Sequence, residues 1–181
     1  MVRRERGDTL IEVIFATAVL ALIIVISLTI MNSGTAQAQR AVEGTFVRQE
    51  LDSQADLLRF ARDSYINHDA GADVLWNVIL GQRVSTVLNF DAISSASPNC
   101  TPPGGQKAFY LETSSGKVVV KSDFTTPETY ARAGKGVWIE ATPTTPGASY
   151  VDFYLYACWN SPAGANKSTS GTIVRLYAPA E

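Results

Sequence analysis

The chain has 181 residues, 46% of them apolar and 18% charged, with a formal net charge of −2. That length leaves room for one modest globular domain beyond an anchor, and the acidic balance argues against nucleic-acid binding as the main task. The first informative stretch is an apolar run of 19 residues, 13–31, with no charge between Glu12 and Arg40. As a helix it would measure about 28 Å at about 1.5 Å per residue, close to a hydrocarbon core of about 30 Å. Arg3, Arg4 and Arg6 precede it, so the positive-inside rule predicts a cytoplasmic N-terminus and a C-terminal domain outside. A secretory signal peptide has a shorter apolar stretch and a small-residue cleavage site after it. This run is too long for that, and a carboxylate, Glu12, stands at its mouth. A plain single-pass anchor would need only the run.

The polar residues before the run carry more. Gly7, then Asp8, then Thr9-Leu10-Ile11-Glu12 and a long apolar segment closely resemble the class III leader of type IV pilins and pseudopilins. The resemblance covers roughly residues 3–31 and is only architectural beyond. It implies that a membrane prepilin peptidase cuts between Gly7 and Asp8 and methylates the new amino group of Asp8. The cut precedes the apolar run, so the helix stays in the mature protein. Residues 1–7 hold three Arg and one Glu, so their removal would take the formal charge from −2 to −4. A glycine before the scissile bond lets the backbone approach a protease closely. The resemblance also gives Glu12 an assembly role, pairing with the N-terminal ammonium of a neighbouring subunit. A carboxylate at the bilayer edge is costly, by up to about 3 kcal/mol at the centre and less near the end, so a charge kept there asks for a partner. A bare structural role, an acid favouring a helix N-terminus, is the alternative. One residue departs from the family pattern: an apolar residue usually follows the cut, and here Asp8 does. Its carboxylate would sit beside the ammonium that Glu12 should meet and compete for it. Arg6-Gly7-Asp8 also spells a cell-adhesion tripeptide, which the expected cut divides.

Residues 8–66 read as one long helix. No proline occurs before Pro98, and Gly34 and Gly44 are candidate soft points. Beyond the apolar half, Val47, Leu51, Ala55, Leu58, Ala61 and Tyr65 recur at helical spacing and mark one face, which Val42 and Phe46 are expected to extend. Arg48–Asp52 and Arg59–Asp63 are i,i+4 pairs expected on the solvated side, worth about 0.3 kcal/mol each. Residues 67–105 form a connecting region. Asn67, Asp69 and Gly71 suggest the helix end. Residues 74–80 fit a helical turn or a strand, residues 84–90 suggest a strand, and 94–105 a loop rich in Ser, Pro and Gly.

From 106 to 181 the pattern is of strands. Residues 108–113 and 117–121 flank Ser114-Ser115-Gly116, a hairpin signal. Residues 137–141 alternate, 143–147 read as a turn, 150–159 as the longest strand, and 172–177 as the last, after a Ser/Gly/Asn-rich loop. Short connections argue for an antiparallel sheet, with one face on the amphipathic helix and the other facing solvent or neighbours. The predicted fold class is therefore α+β: a long N-terminal helix, membrane-spanning in its first half, packed on a C-terminal antiparallel sheet. That pattern is similar to the pilin architecture. Two cysteines, Cys100 and Cys158, lie in the exported part, and an even pair there predicts a disulfide. It would be a variation on the bridge that many family members use to fasten a C-terminal loop.

Signals for catalysis are sparse. His68 is the only histidine and sits in the segment expected to end the helix, where a solvated role is the plain reading. Asp69, Asp73 and Asp91 are too scattered for a calcium loop, and no cluster has zinc spacing. Thr113-Ser114-Ser115 and Ser168-Thr169-Ser170 lack a base nearby and read as turns. Gly104-Gly105 and Gly134-Lys135-Gly136 lack a phosphate-loop pattern. Trp138, Tyr154, Tyr156, Trp159 and Tyr177 form either a ligand patch or, by the simpler reading, sheet core and cross-strand pairs. Asn99-Cys100-Thr101 and Asn166-Lys167-Ser168 match the N-glycosylation pattern, as short motifs often do by chance. The expectation is a structural subunit of a type IV pilus or pseudopilus filament, leaning toward a minor one. It is expected to be no enzyme and to hold no cofactor or metal. Its partners would be other pilin subunits, the peptidase, an assembly platform and, before assembly, membrane lipid. The alternative is an anchored extracellular binding module that is neither processed nor polymerised.

Overall fold

Proline is absent until Pro98, and the chain uses that freedom for a single helix, α1, over Asp8–Ile66. The computed structural model describes residues 8–97, 99–104, 107–127, 130–142, 149–162 and 167–177. The leader with Gly7, the 143–147 turn, Gly105 and Asn166 lie outside them. Contacts divide the chain into two units, Met1–Ala41 and Val42–Glu181.

In the first unit α1 has no packed face: residues 10–35 are all exposed. The hydroxyls in it turn inward on the helix backbone. Thr17 donates to Val13 O (2.9 Å), Ser27 to Ile23 O (2.8 Å) and Thr29 to Val25 O (2.9 Å). Such back-bonding lets Ser and Thr sit in apolar surroundings with their donors satisfied. Gly34 does not interrupt the helix, and neither does Gly44 in the second unit.

The second unit is built on the amphipathic half of α1. Val47, Leu51, Ala55, Leu58 and Ala61 are buried on the face that the spacing marks, and Tyr65 is packed against their cluster. Each fully buried Val or Leu contributes about 1.5–3 kcal/mol. Val42 and Phe46 do not extend this face: both are exposed, Phe46 at 52%. They lie roughly 100° (Phe46) to 140° (Val42) around the helix from Val47, and Phe46 instead meets the ring of Tyr130 at 5.7 Å. Glu43 and Gln54 occupy the stripe, at 3% and 2% exposure. The ion pairs also differ in spacing. Arg59 takes Asp56 (2.7 Å) and Arg62 takes Asp63 (2.9 Å).

The end of α1 is set by backbone geometry. His68 has φ 57°, its N–H donates to Tyr65 O (3.1 Å) and the N–H of Asp69 donates to Ser64 O (3.0 Å). These two bonds make a Schellman cap with His68 at the left-handed position. The open choice at 74–80 resolves as a helix, α2, Ala72–Gly81. It buries Ala72, Trp76 and Ile79, and Trp76 links Tyr65 (6.0 Å) to Phe153 (6.2 Å).

The strand expected at 84–90 does not form. Val84 donates to Ala141 O (2.9 Å), but the chain then enters a 3-10 turn, Phe90–Ala92, and a short helix α3, Ile93–Ala96. Next come β1 (Tyr110–Ser114) and β2 (Lys117–Lys121), an antiparallel hairpin. Its two-residue turn has φ 51° at Ser115 and 75° at Gly116, the type I′ signature that suits right-twisted strands. A four-stranded sheet follows in the order β3-β4-β5-β6: Arg132–Ala133, Gly136–Ala141, Tyr150–Asn160 and Lys167–Tyr177. The sheet is antiparallel except for the short parallel pair β3–β4. The last strand starts at Lys167, five residues before the expected 172. Ser168 to Gly171 pair with β5 instead of looping, because the long β5 provides partners along its whole length.

Both faces of this sheet are packed. Val137, Ile139, Ala141, Phe153, Leu155 and Val174 join the α1 cluster. The alternate residues Trp138, Tyr156 and Cys158 pack with Ile93, Cys100 and Ala108. The opposite face was expected to meet solvent or neighbours; in its central part the 88–100 segment covers it.

Candidate functional site

The residues singled out by the leader motif lie at the start of α1. Asp8 is its first residue, and Glu12 is exposed one turn later, flanked by exposed Ile11 before it and Val13, Ile14 and Phe15 after it. A helix with an apolar surface on every side is suited to lipid or to the centre of a helical bundle. By length and composition α1 can cross a membrane once. Glu12 is then the one carboxylate set against that apolar surface among described residues 10–39, and nothing within its own helix turn balances it in charge.

Polar side chains fasten the second unit's helix to its sheet. Gln54 donates through Nε2 to Leu111 O (2.9 Å) and accepts from Leu111 N at Oε1 (2.8 Å). Its amide thus stands where a neighbouring strand's peptide would stand beside β1. Glu43 accepts from Trp159 Nε1 at 3.1 Å, and Glu50 accepts from Ala133 N at 3.1 Å. Sequence reasoning missed all three, because a lone Glu or Gln on an amphipathic helix reads as solvated.

The outer sheet face grips the covering segment by both backbone polar groups of Leu88. Leu88 N donates to Glu140 Oε2 at 2.8 Å, and Leu88 O accepts from the Tyr156 hydroxyl. Glu140 is fully buried. Burial raises its carboxyl above the usual range, opposed by the Leu88 N–H and by Trp138 beside it. Burial, with the charge of Glu140 next, raises the Tyr156 hydroxyl too. Phe90 lies on Gly171 so closely that a Cβ there would fall 1.9 Å from Cε1 of the ring. The Cys100–Cys158 disulfide completes the attachment, joining residues 58 apart in sequence. A loop of that length stabilises by about 4 kcal/mol in the chain-entropy model.

The aromatic residues divide between the two readings. Trp138, Tyr156 and Trp159 are core, whereas Tyr154 is half-buried and Tyr177 is exposed. His68, Asp69, Asp73 and Asp91 are exposed and are not brought together into a metal-binding group, and no group of three or more potential ligands occurs among the described residues. Thr113 and Ser114 end β1, Ser168, Thr169 and Ser170 lie within β6, and Gly134 and Lys135 form the turn before β4. Asn99 is exposed next to the bonded Cys100. Tyr110 donates to Asp123 at 2.8 Å. Its hydroxyl is pushed up to about 12 by burial first and by that bond second.

The arrangement defines an α+β protein with an exposed apolar helix leading into a helix-on-sheet head. No protein-family model, curated protein or solved structure matches the chain.

Proposed function

We propose that the chain is a structural subunit of a pilin-like filament, made as a single-pass membrane precursor, cut after Gly7 and assembled through α1. The observation that carries this is the run Arg6-Gly7-Asp8-Thr9-Leu10-Ile11-Glu12 set directly on a helix whose residues 10–35 are exposed throughout. In lipid that surface is solvated by acyl chains, and in a filament by the same helices of other subunits. Glu12 would then leave the bilayer edge as a pair with the Asp8 ammonium of a neighbour, which removes the cost of an unpaired charge. The head, with its helix-packed sheet and disulfide, would form the filament surface outside the cell.

The test is the intact mass and N-terminal peptide of the full chain, isolated from membranes of cells with an active prepilin peptidase, beside Gly7→Ala. A chain that starts at N-methylated Asp8, and an uncut chain in the variant, is the expected result. Persistence of residues 1–7 in the parent protein would overturn the reading and leave an unprocessed anchor.

A further inference from the structure

The segment that covers the outer sheet face stops short of one end. What remains open is set by register: Tyr150 stands opposite Tyr177, Asp152 opposite Arg175, and Tyr154 opposite Ile173. Residues two apart on a strand point to the same side, so these six side chains share one face with Tyr156, which the segment does cover. Tyr177 is 56% and Ile173 49% exposed, and Tyr150 is half-buried; Tyr154, also half-buried, meets Phe90 of the covering segment at 5.8 Å and so marks the border of the open part. Aromatic rings held at the surface of a fixed sheet form a rigid platform, since two paired strands have little freedom to rearrange.

The middle of the platform is electrically closed. Arg175 donates to both oxygens of Asp152, from Nε at 2.7 Å and from Nη2 at 2.8 Å. Its guanidinium also lies 4.1 Å from the centre of the Tyr150 ring, and Tyr150 meets Tyr177 edge-on at 6.0 Å. The two charges cancel, so neither an anion nor a cation finds net attraction there. A guanidinium has five N–H donors, and these two bonds leave three for a ligand. The three pairs extend about 14 Å along the strands, and with a width of about 10 Å the platform offers roughly 140 Å². That is far below the roughly 800 Å² per partner of a stable protein interface.

We propose that this platform binds a neutral oligosaccharide. Its C–H faces would lie on the Tyr177 ring and on Ile173, with the uncovered edge of Tyr154 at the far end, and its hydroxyls would accept from Arg175. Sugars join apolar faces to dense hydroxyls without charge, which is the chemistry that rings flanking a self-neutralised ion pair can meet. This goes beyond the filament reading and stands without it.

The experiment is calorimetric titration of the full chain in lipid nanodiscs, free of sugar detergents, with cellotetraose, maltotetraose and chitotetraose. At least one should bind in the millimolar range or tighter, and raising NaCl by about 0.5 M should leave its affinity within about twofold, because no net charge is screened. Tyr177→Ala and Ile173→Glu, both at exposed positions, should weaken binding about tenfold or more, equivalent to losing one good ring contact. Phe60→Ala removes an exposed aromatic residue of α1, 57% exposed, and should leave binding unchanged. No heat from any of the three sugars up to about 10 mM, an affinity limit of about 3 kcal/mol, would overturn the proposal. Equal affinities in parent and platform variants would do the same. So would light scattering that shows Ile173→Glu breaking up a self-associated form with no sugar bound; that result would assign the platform to a second copy of the chain.

Discussion

Replacing Gln54 by leucine separates the two things that its side chain does. Leucine keeps most of the volume in a position only 2% exposed, but it can neither donate to Leu111 O nor accept from Leu111 N. Leu111 is itself buried, so its N–H and C=O would both lose their partners out of reach of water. Each orphaned group costs about 1–3 kcal/mol, and burying an apolar side chain in place of an amide offsets about 1–2 kcal/mol. The expected net loss is about 2–4 kcal/mol. With a urea slope of about 2 kcal/mol per molar, the midpoint should fall by about 1–2 M. Tryptophan fluorescence of the full chain in micelles reports this directly, because all three tryptophans, Trp76, Trp138 and Trp159, are buried in the second unit. The Leu111 amide should exchange faster in parallel. Gln49→Leu, on the exposed side of α1, is the control and should stay within about 0.5 kcal/mol. If Gln54→Leu matched that control and the Leu111 amide kept its protection, the argument that this amide completes the edge of β1 would be refuted.

Two further outcomes follow from local geometry. His68→Gly should raise stability by about 0.5–1 kcal/mol, read as a higher urea midpoint, because His68 holds a left-handed φ of 57° that costs a side-chain-bearing residue about 1–2 kcal/mol, part of which the glycine's looser unfolded chain returns. Tyr110 should ionise near pH 12 in the folded protein, against about 10 unfolded. Between those values the folded state holds the extra proton, so stability should fall as pH rises from about 10 to 12. Absorbance at alkaline pH follows the ionisation, and Asp123→Asn should move it back toward 10, since the Asp123 bond and charge both raise it.

The limits of α1 were legible because nothing contradicted them: an apolar run, an amphipathic run and no proline give a helix from Asp8 to Ile66, and Asn67 to Gly71 end it. The hairpin was legible because Ser115-Gly116 accepts positive φ. Errors came where long-range contacts overrule local pattern. Val84 to Phe90 have strand-forming residues, yet Leu88 gives its N–H and C=O to Glu140 and Tyr156 side chains, so no ladder can run through it. Ser168 to Gly171 look like loop until an eleven-residue β5 lies alongside. Phe46 is apolar but belongs to another side of the helix, and buried Glu43, Gln54 and Glu140 declare themselves only through partners 52 to 116 residues away. For the candidate site, the Gly7 to Glu12 motif was fully readable and the structure adds the exposed helix behind Glu12. The open Tyr–Arg–Tyr platform was not readable, since it depends on which part of β5 the 88–100 segment leaves uncovered.

The bond between Cys100 and Cys158 has a consequence for survival after damage. It closes a ring of covalent chain that takes in β1 to β4 and most of β5. A protease that cuts once anywhere between these cysteines opens the ring but frees no fragment. The two pieces stay tied through sulfur, and a cut before β5 leaves β5 and β6 paired within one piece. In the exported head proposed above, one nick would thereby be a scar and not an amputation.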